Sequence, residues 1–206
     1  MHRTAELRWF HKEEAPEAYR HWFKDEEARE RTDHYYRRSG ERLGIKLRDG
    51  KLLEHKPVTS REELHLLLRT IAGNIQTFEK WSFPIAEGAE GYISDALSQP
   101  DTWQAVHKTR RIQQYALQPD GSIQRHTGDG RPAEGCEIEL ALIKIEEDEW
   151  YSIGMEAYSD KDREEFVLRQ VATWLFTEQG FPTECGGIDA SKGYANWLYE
   201  EYTRLW

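Results

Sequence analysis

The chain is poor in cysteine, proline and methionine: two, seven and two residues in 206. Cys136 and Cys185 stand alone, without metal-type spacing. That excludes a cysteine-ligated zinc site, and free thiols in a reducing cytoplasm are the expectation. No run approaches the roughly 18 apolar residues of a membrane-spanning helix, so no membrane partner is expected. The opening MHRTAELRWF has no apolar signal core, so a cytoplasmic location is expected. Internal repeats and Pro- or Ser-rich linkers are missing, and one domain over residues 1–206 is the simplest organisation. Positive charge is short as well, with 28 Lys and Arg against 38 Asp and Glu, a formal net charge of −10. A field of that sign excludes broad nucleic-acid binding, though not a local positive pocket. None of the eight histidines falls in an H-x-H or H-E-x-x-H pattern. ECGGIDASKG reads as a turn rather than a phosphate loop, and no G-x-S-x-G elbow is present.

What the chain does have is aromatic residues, eight Trp and ten Tyr among them, and many short segments that alternate in type. AELRWFH reads as a strand, with Glu6 and Arg8 on one face and Leu7 and Trp9 on the other. Residues 13–30 read as an amphipathic helix around Tyr19, Trp22 and Phe23. TDHYYRR reads as a strand. RLGIKLRDGKLLEHK reads as a hairpin turning at Asp49-Gly50. Ser60 and Glu63 read as a capping box opening a helix with a Leu64, Leu67, Leu68 and Ile71 stripe. NIQTFEKWSFPI, WQAVHKTRRIQQYAL, CEIELALIKI and WYSIGMEAY read as strands, and a short helix is expected around Ile93 to Leu97. Residues 126–135 read as a loop and EEDE as a solvated turn. Residues 159–180 form the strongest helical pattern, with Phe166, Val167, Val171, Trp174 and Leu175 as its stripe and Gly180 at its end. The aromatic C-terminal segment reads as a last helix that packs on the fold or, less simply, meets another copy in a homo-oligomer.

Several strands place ionisable residues, not Ser or Thr, opposite their apolar face. Glu6 and Arg8, Lys46 and Arg48, Glu54 and Lys56, Glu137 and Glu139, and Glu156 all do so. Two readings are open. In an open sheet these faces meet water. In a closed barrel they line a polar interior, tolerable only if wet, ligand-filled or mutually paired. In such an interior carboxylates suit Mg²⁺ or Mn²⁺, and Arg and Lys suit phosphate oxygens.

The ordered set resembles the CYTH superfamily, also called triphosphate tunnel metalloenzymes. The pieces are ELRWF from Glu6, Asp33-His34-Tyr35, Lys46-Leu47-Arg48, Glu54-His55-Lys56, Lys108-Thr109-Arg110, Glu137-Ile138-Glu139 and IGMEAY with Glu156. They span roughly residues 5–180, and their order rather than any single motif carries the likeness. The resemblance implies an α+β fold, an antiparallel eight-stranded barrel open as a tunnel and flanked by helices. It implies a small phosphorylated anion as ligand and divalent-metal-dependent phosphohydrolase activity with Mg²⁺ or Mn²⁺. By position, Lys46, Arg48, Lys56, Lys108 and Arg110 would bind phosphates, with Arg8 beside them. Glu6, Glu137, Glu139 and Glu156 would hold the metal or its waters. The opening strand departs from the family's E-x-E-x-K, because Arg8 stands at the second acid and Phe10 at the Lys. A changed metal site, another anionic substrate, a non-catalytic anion-binding tunnel and a protein-interaction module on the same barrel all remain compatible.

Overall fold

A computed structural model describes residues 2–66 and 71–203. Nine antiparallel strands run in chain order: β1 (His2–His11), β2 (Arg29–Tyr36), β3 (Leu43–Arg48), β4 (Leu52–Leu66), β5 (Ile71–Pro84), β6 (Trp103–Leu117), β7 (Ile123–Arg125), β8 (Glu134–Ile145) and β9 (Asp148–Ser159). The helices are α1 (Glu17–Trp22), α2 (Glu90–Leu97), α3 (Glu164–Glu178) and α4 (Tyr194–Leu198), the last continuing into a π-helical turn, Tyr199–Thr203. The order β2-β3-β4-β5-β1-β9-β8-β6 closes on itself through β2–β6 pairing, and β7 adds a hairpin to β6. The result is a closed eight-stranded antiparallel barrel, which leaves no unpaired edge among those strands.

The barrel carries its main apolar core on the outside of its wall. Leu7 and Trp9 of β1, Ile138 and Leu140 of β8, and Ile153 and Met155 of β9 pack with Val167, Leu168, Val171 and Leu175 of α3. Alternation then sends the intervening residues inward. That is why the ionisable faces line a lumen instead of meeting bulk water. Trp9 anchors the outer layer by donating its indole N–H to the Ala72 carbonyl at 2.8 Å. Cys136 and Cys185 are free and buried.

A second apolar cluster fills one end of the lumen. Phe10, Val106, Ala141, Ile143, Ile145 and Trp150 meet Trp197 and Leu198 of α4 there. Trp197 stacks on Phe10 at 4.3 Å between centroids, with planes 9° apart. The C-terminal aromatic segment therefore closes this end. Phe10 is the floor on which the closure rests.

Several local expectations change. Residues 60–66 belong to β4, not to a helix; Leu64 pairs with Gly73 and Glu62 with Ile75 across the β4–β5 ladder. Cross-strand pairing and burial of Leu64 and Ile71 override the helical preference of REELHLLL. Leu67 and Leu68 lie outside the described residues. Only Glu17–Trp22 of residues 13–30 is helical, because Arg29 and Glu30 are drawn into the β2–β6 ladder. On α3, Phe166 is exposed, and Leu168 takes the buried position expected of it. Residues 126–133 form the loop, and β8 begins at Glu134.

Candidate tunnel site

Inward-facing side chains form three linked clusters. The first centres on Asp33 of β2, which has no solvent exposure. Its Oδ2 accepts from Lys108 at 2.9 Å, Lys46 at 3.0 Å and Arg31 at 3.0 Å. Burial opposes the Asp33 charge, but Lys108, Lys46 and Arg31 outweigh it and hold the carboxyl far below its ordinary range. The second centres on Glu54 of β4, with Arg48 at 2.9 Å, Lys80 at 2.9 Å and Lys46 at 3.2 Å. The third centres on Glu139 of β8, held by Arg8 at 2.8 Å and by Arg110. Burial works against the Glu139 charge, and Arg8, Arg110 and Lys108 nevertheless hold it at about 2.

For the lysines in this lumen burial wins, and the charged form is disfavoured. Burial lowers Lys108 to about 7 and Lys46 to about 8, against the support of Asp33. Lys56 falls to about 8, again chiefly through burial. It donates to Glu6.

Strand register puts three carboxylates side by side: Glu6 pairs with Glu156 across β1–β9, and Glu156 with Glu137 across β9–β8. Glu137 is raised by burial and by Glu156, against Arg131. Burial opposes the Glu156 charge, but Lys56, Lys80, Arg131 and Arg8 outweigh it and hold the carboxyl below its ordinary range.

The expected cations Arg8, Lys46, Arg48, Lys56, Lys108 and Arg110 all take part in these pairings, as do Glu6 and Glu139. Glu137 pairs with Arg131 at 3.1 Å, at the lumen end opposite α4. Lys108 and Arg110 face inward, and His107, next to Lys108 on the alternate face, is exposed. Counting Arg31, Lys80 and Arg131, nine basic side chains pair with or lie beside six carboxylates along this lumen, with Lys108, lowered to about 7, only partly charged at neutral pH. Several buried donors have no partner within the protein, among them Nε of Arg8, Arg31 and Arg48.

Two openings reach this set. A cavity of about 60 Å³ is lined by Glu6, Lys46, Lys56, Phe78 and Tyr194. That is room for only a water or two, so a larger ligand must exchange with the internal pairs. The mouth opposite α4 is wider, about 620 Å³, and its lining mixes Arg29, Arg125 and Arg131 with Glu26, Glu27, Asp129 and Glu137. A third cleft mixes Glu13, Glu14, Glu30 and Glu149 with Arg20, His107, Lys108 and Lys144.

The carboxylates were tested as a metal site. Both Glu139 oxygens are engaged by arginines, Glu6 by Lys56 and Glu137 by Arg131. Among the described residues no group of three or more His, Cys, Asp or Glu is arranged to hold a metal ion. As arranged, the donor set does not fit Mg²⁺ or Mn²⁺.

Some members of the site are not singled out by the sequence reading. Lys80 lies on the same β5 face as Gln76 and Phe78, and the period-2 pattern of that strand could have marked it. Asp33 is visible only as part of a family piece, not as the hub of three cations. Arg131 lies in a loop without a pattern, and Tyr194 reaches the lumen through a tertiary path that no local signal encodes.

The fold is a closed eight-stranded antiparallel barrel whose lumen is lined by ionisable side chains. No family model and no curated protein matches the chain. Among solved structures, the PH1819 protein from Pyrococcus horikoshii OT3 is similar, with 15% identity, a TM-score of 0.45, and 96% of this chain and 99% of that one covered. A Hippeastrum adenylyl cyclase candidate with a dominant triphosphatase activity is also similar. It shows 11% identity and a TM-score of 0.44, with 100% of this chain and 96% of that one covered. No helix among the described residues is long and apolar enough to cross a membrane.

Proposed function

We propose that the tunnel binds a small anion carrying a run of phosphates, of triphosphate type, entering from the Arg131 mouth. The observation that carries this reading is the convergence of nine basic side chains on one lumen with six carboxylates beside them. Excess fixed charge at low local dielectric is costly unless an anion answers it. Arginine forks match phosphate oxygens in pairs, and the unpartnered Nε groups supply donors for them. Lys46, Arg48, Lys56, Lys108 and Arg110 are the proposed phosphate ligands. Their convergence favours a ligand over a protein-interaction module, whose charges would diverge towards solvent.

Hydrolysis is the second reading. Glu137 favours it: a carboxyl raised by burial and by Glu156, near the wide mouth, suits proton transfer to or from a bound water. The experiment follows phosphate release from tripolyphosphate and nucleoside triphosphates, with and without Mg²⁺ or Mn²⁺. Release that is lost in Lys46→Ala and Arg48→Ala supports a hydrolase. Binding by calorimetry without release leaves an anion-binding tunnel. Absence of both removes the reading.

A further inference from the structure

We propose that the Arg8 guanidinium is a built-in cation that takes the place of a divalent metal, so that the phosphate site works without one. The inference rests on the tunnel reading above. Arg8 is held in one place: Nη1 donates to Glu139 Oε1 at 2.8 Å and to Ser152 Oγ at 2.9 Å, and the guanidinium carbon lies 5.0 Å from the Tyr194 ring centroid. The wall is shaped around it. Gly154 of β9 is the register partner of both Arg8 and Glu139. A Cβ at Gly154 would collide with the guanidinium carbon and both terminal nitrogens of Arg8. The missing side chain is the space that the cation fills.

The charge arrangement agrees with this. Glu139 is shared between Arg8 and Arg110, while Glu6 and Glu137 already answer Lys56 and Arg131. A divalent ion would have to displace those cations and sit beside a fixed positive charge, and like charges at such range repel strongly where the dielectric is low. Arg8 keeps a buried Nε without a partner in the protein, a donor left for a phosphate oxygen. A guanidinium supplies direction as well as charge, which a phosphate can use in bidentate form.

The test is calorimetric titration of inorganic tripolyphosphate into the full chain, once in EDTA and once in Mg²⁺. The expected affinity in EDTA equals or exceeds that in Mg²⁺. Affinity tighter with Mg²⁺ by about tenfold or more overturns the proposal and leaves the tunnel reading standing. No binding in either condition overturns both. In Arg8→Glu, affinity in EDTA should fall by about tenfold or more and recover with Mg²⁺; wild-type affinity in EDTA contradicts the proposal. A new carboxylate beside Glu139 can prevent folding, so Arg8→Gln is the second variant. It should lose affinity in EDTA without gaining a Mg²⁺ response, and unchanged affinity in that variant also overturns the proposal.

Discussion

The Lys108 ammonium lies 3.6 Å from the centroid of the Tyr194 ring. One residue of the C-terminal helix thus closes the lumen and faces a lysine of the Asp33 cluster. Tyr194 also stacks on Tyr35 at 5.6 Å and meets Phe10 edge-on at 5.0 Å. A ring so placed contributes both packing and cation–π attraction.

Tyr194→Ala should therefore cost about 2 kcal/mol of stability, below the range for a fully buried aromatic ring because Tyr194 is only partly buried. Tyr194→Phe, which keeps the ring, should stay within about 1 kcal/mol of wild type. Urea denaturation of both variants checks this. Equal losses would show that the hydroxyl, not the ring, holds the closure.

Asp33 is the hub that makes buried Lys108 and part-buried Lys46 and Arg31 tolerable. Asp33→Asn should cost about 3–5 kcal/mol at neutral pH, because removing one partner leaves the others uncompensated. The Asp33 pKa is lowered in the folded state from 3.8. The folded carboxyl thus binds fewer protons than the unfolded one in acid. Its stabilisation is fully present above the unfolded value and is lost as pH falls below it. The stability gap between wild type and Asp33→Asn should begin to narrow as pH drops below about 4 and should still be open at about pH 2.

Lys108 and Lys46 have folded pKa values of about 7 and about 8, lowered from 10.5 mainly by burial. Between those values and 10.5 the unfolded chain binds more protons, so this pair makes stability rise with pH across that window. An anion in the lumen favours their charged forms. Tripolyphosphate affinity should therefore fall as pH rises from about 6 to about 9, with proton uptake on binding at the alkaline end. Calorimetry in buffers of different ionisation enthalpy reads that uptake, and Lys108→Met should reduce it.

Gly154→Ala tests the fit between β9 and Arg8. The added methyl meets a guanidinium already held by Glu139 and Ser152. A cost of about 1–3 kcal/mol is expected from overpacking. The double variant Gly154→Ala with Arg8→Ala should recover part of it, and thermal denaturation of wild type, each single variant and the double variant measures the coupling.

Much of this was legible before the structure. Period-2 alternation in ELRWF, KLR, EHK and CEIEL separates an apolar face from an ionisable one, and the barrel turns the ionisable face inward. The outward or inward sense was not legible, because alternation has no sign until closure and α3 decide which face is dry. REELHLLL carries helical spacing, yet β4 pairs with β5 through it; non-local pairing is invisible to a local pattern. The Asp33 hub joins residues from β2, β3 and β6, which the sequence keeps as many as 75 residues apart. Lys80 obeys the alternation rule, on the same β5 face as Gln76 and Phe78.

The central claim is that this lumen binds a phosphate chain through its surplus cations. Tripolyphosphate titrated into wild type, Lys46→Ala and Arg48→Ala tests it most directly. Saturable binding to wild type is expected, weakened by about tenfold or more in each variant whose thermal unfolding remains cooperative. No heat of binding to wild type at pH 6.5, or equal affinity in all three proteins, would contradict the account.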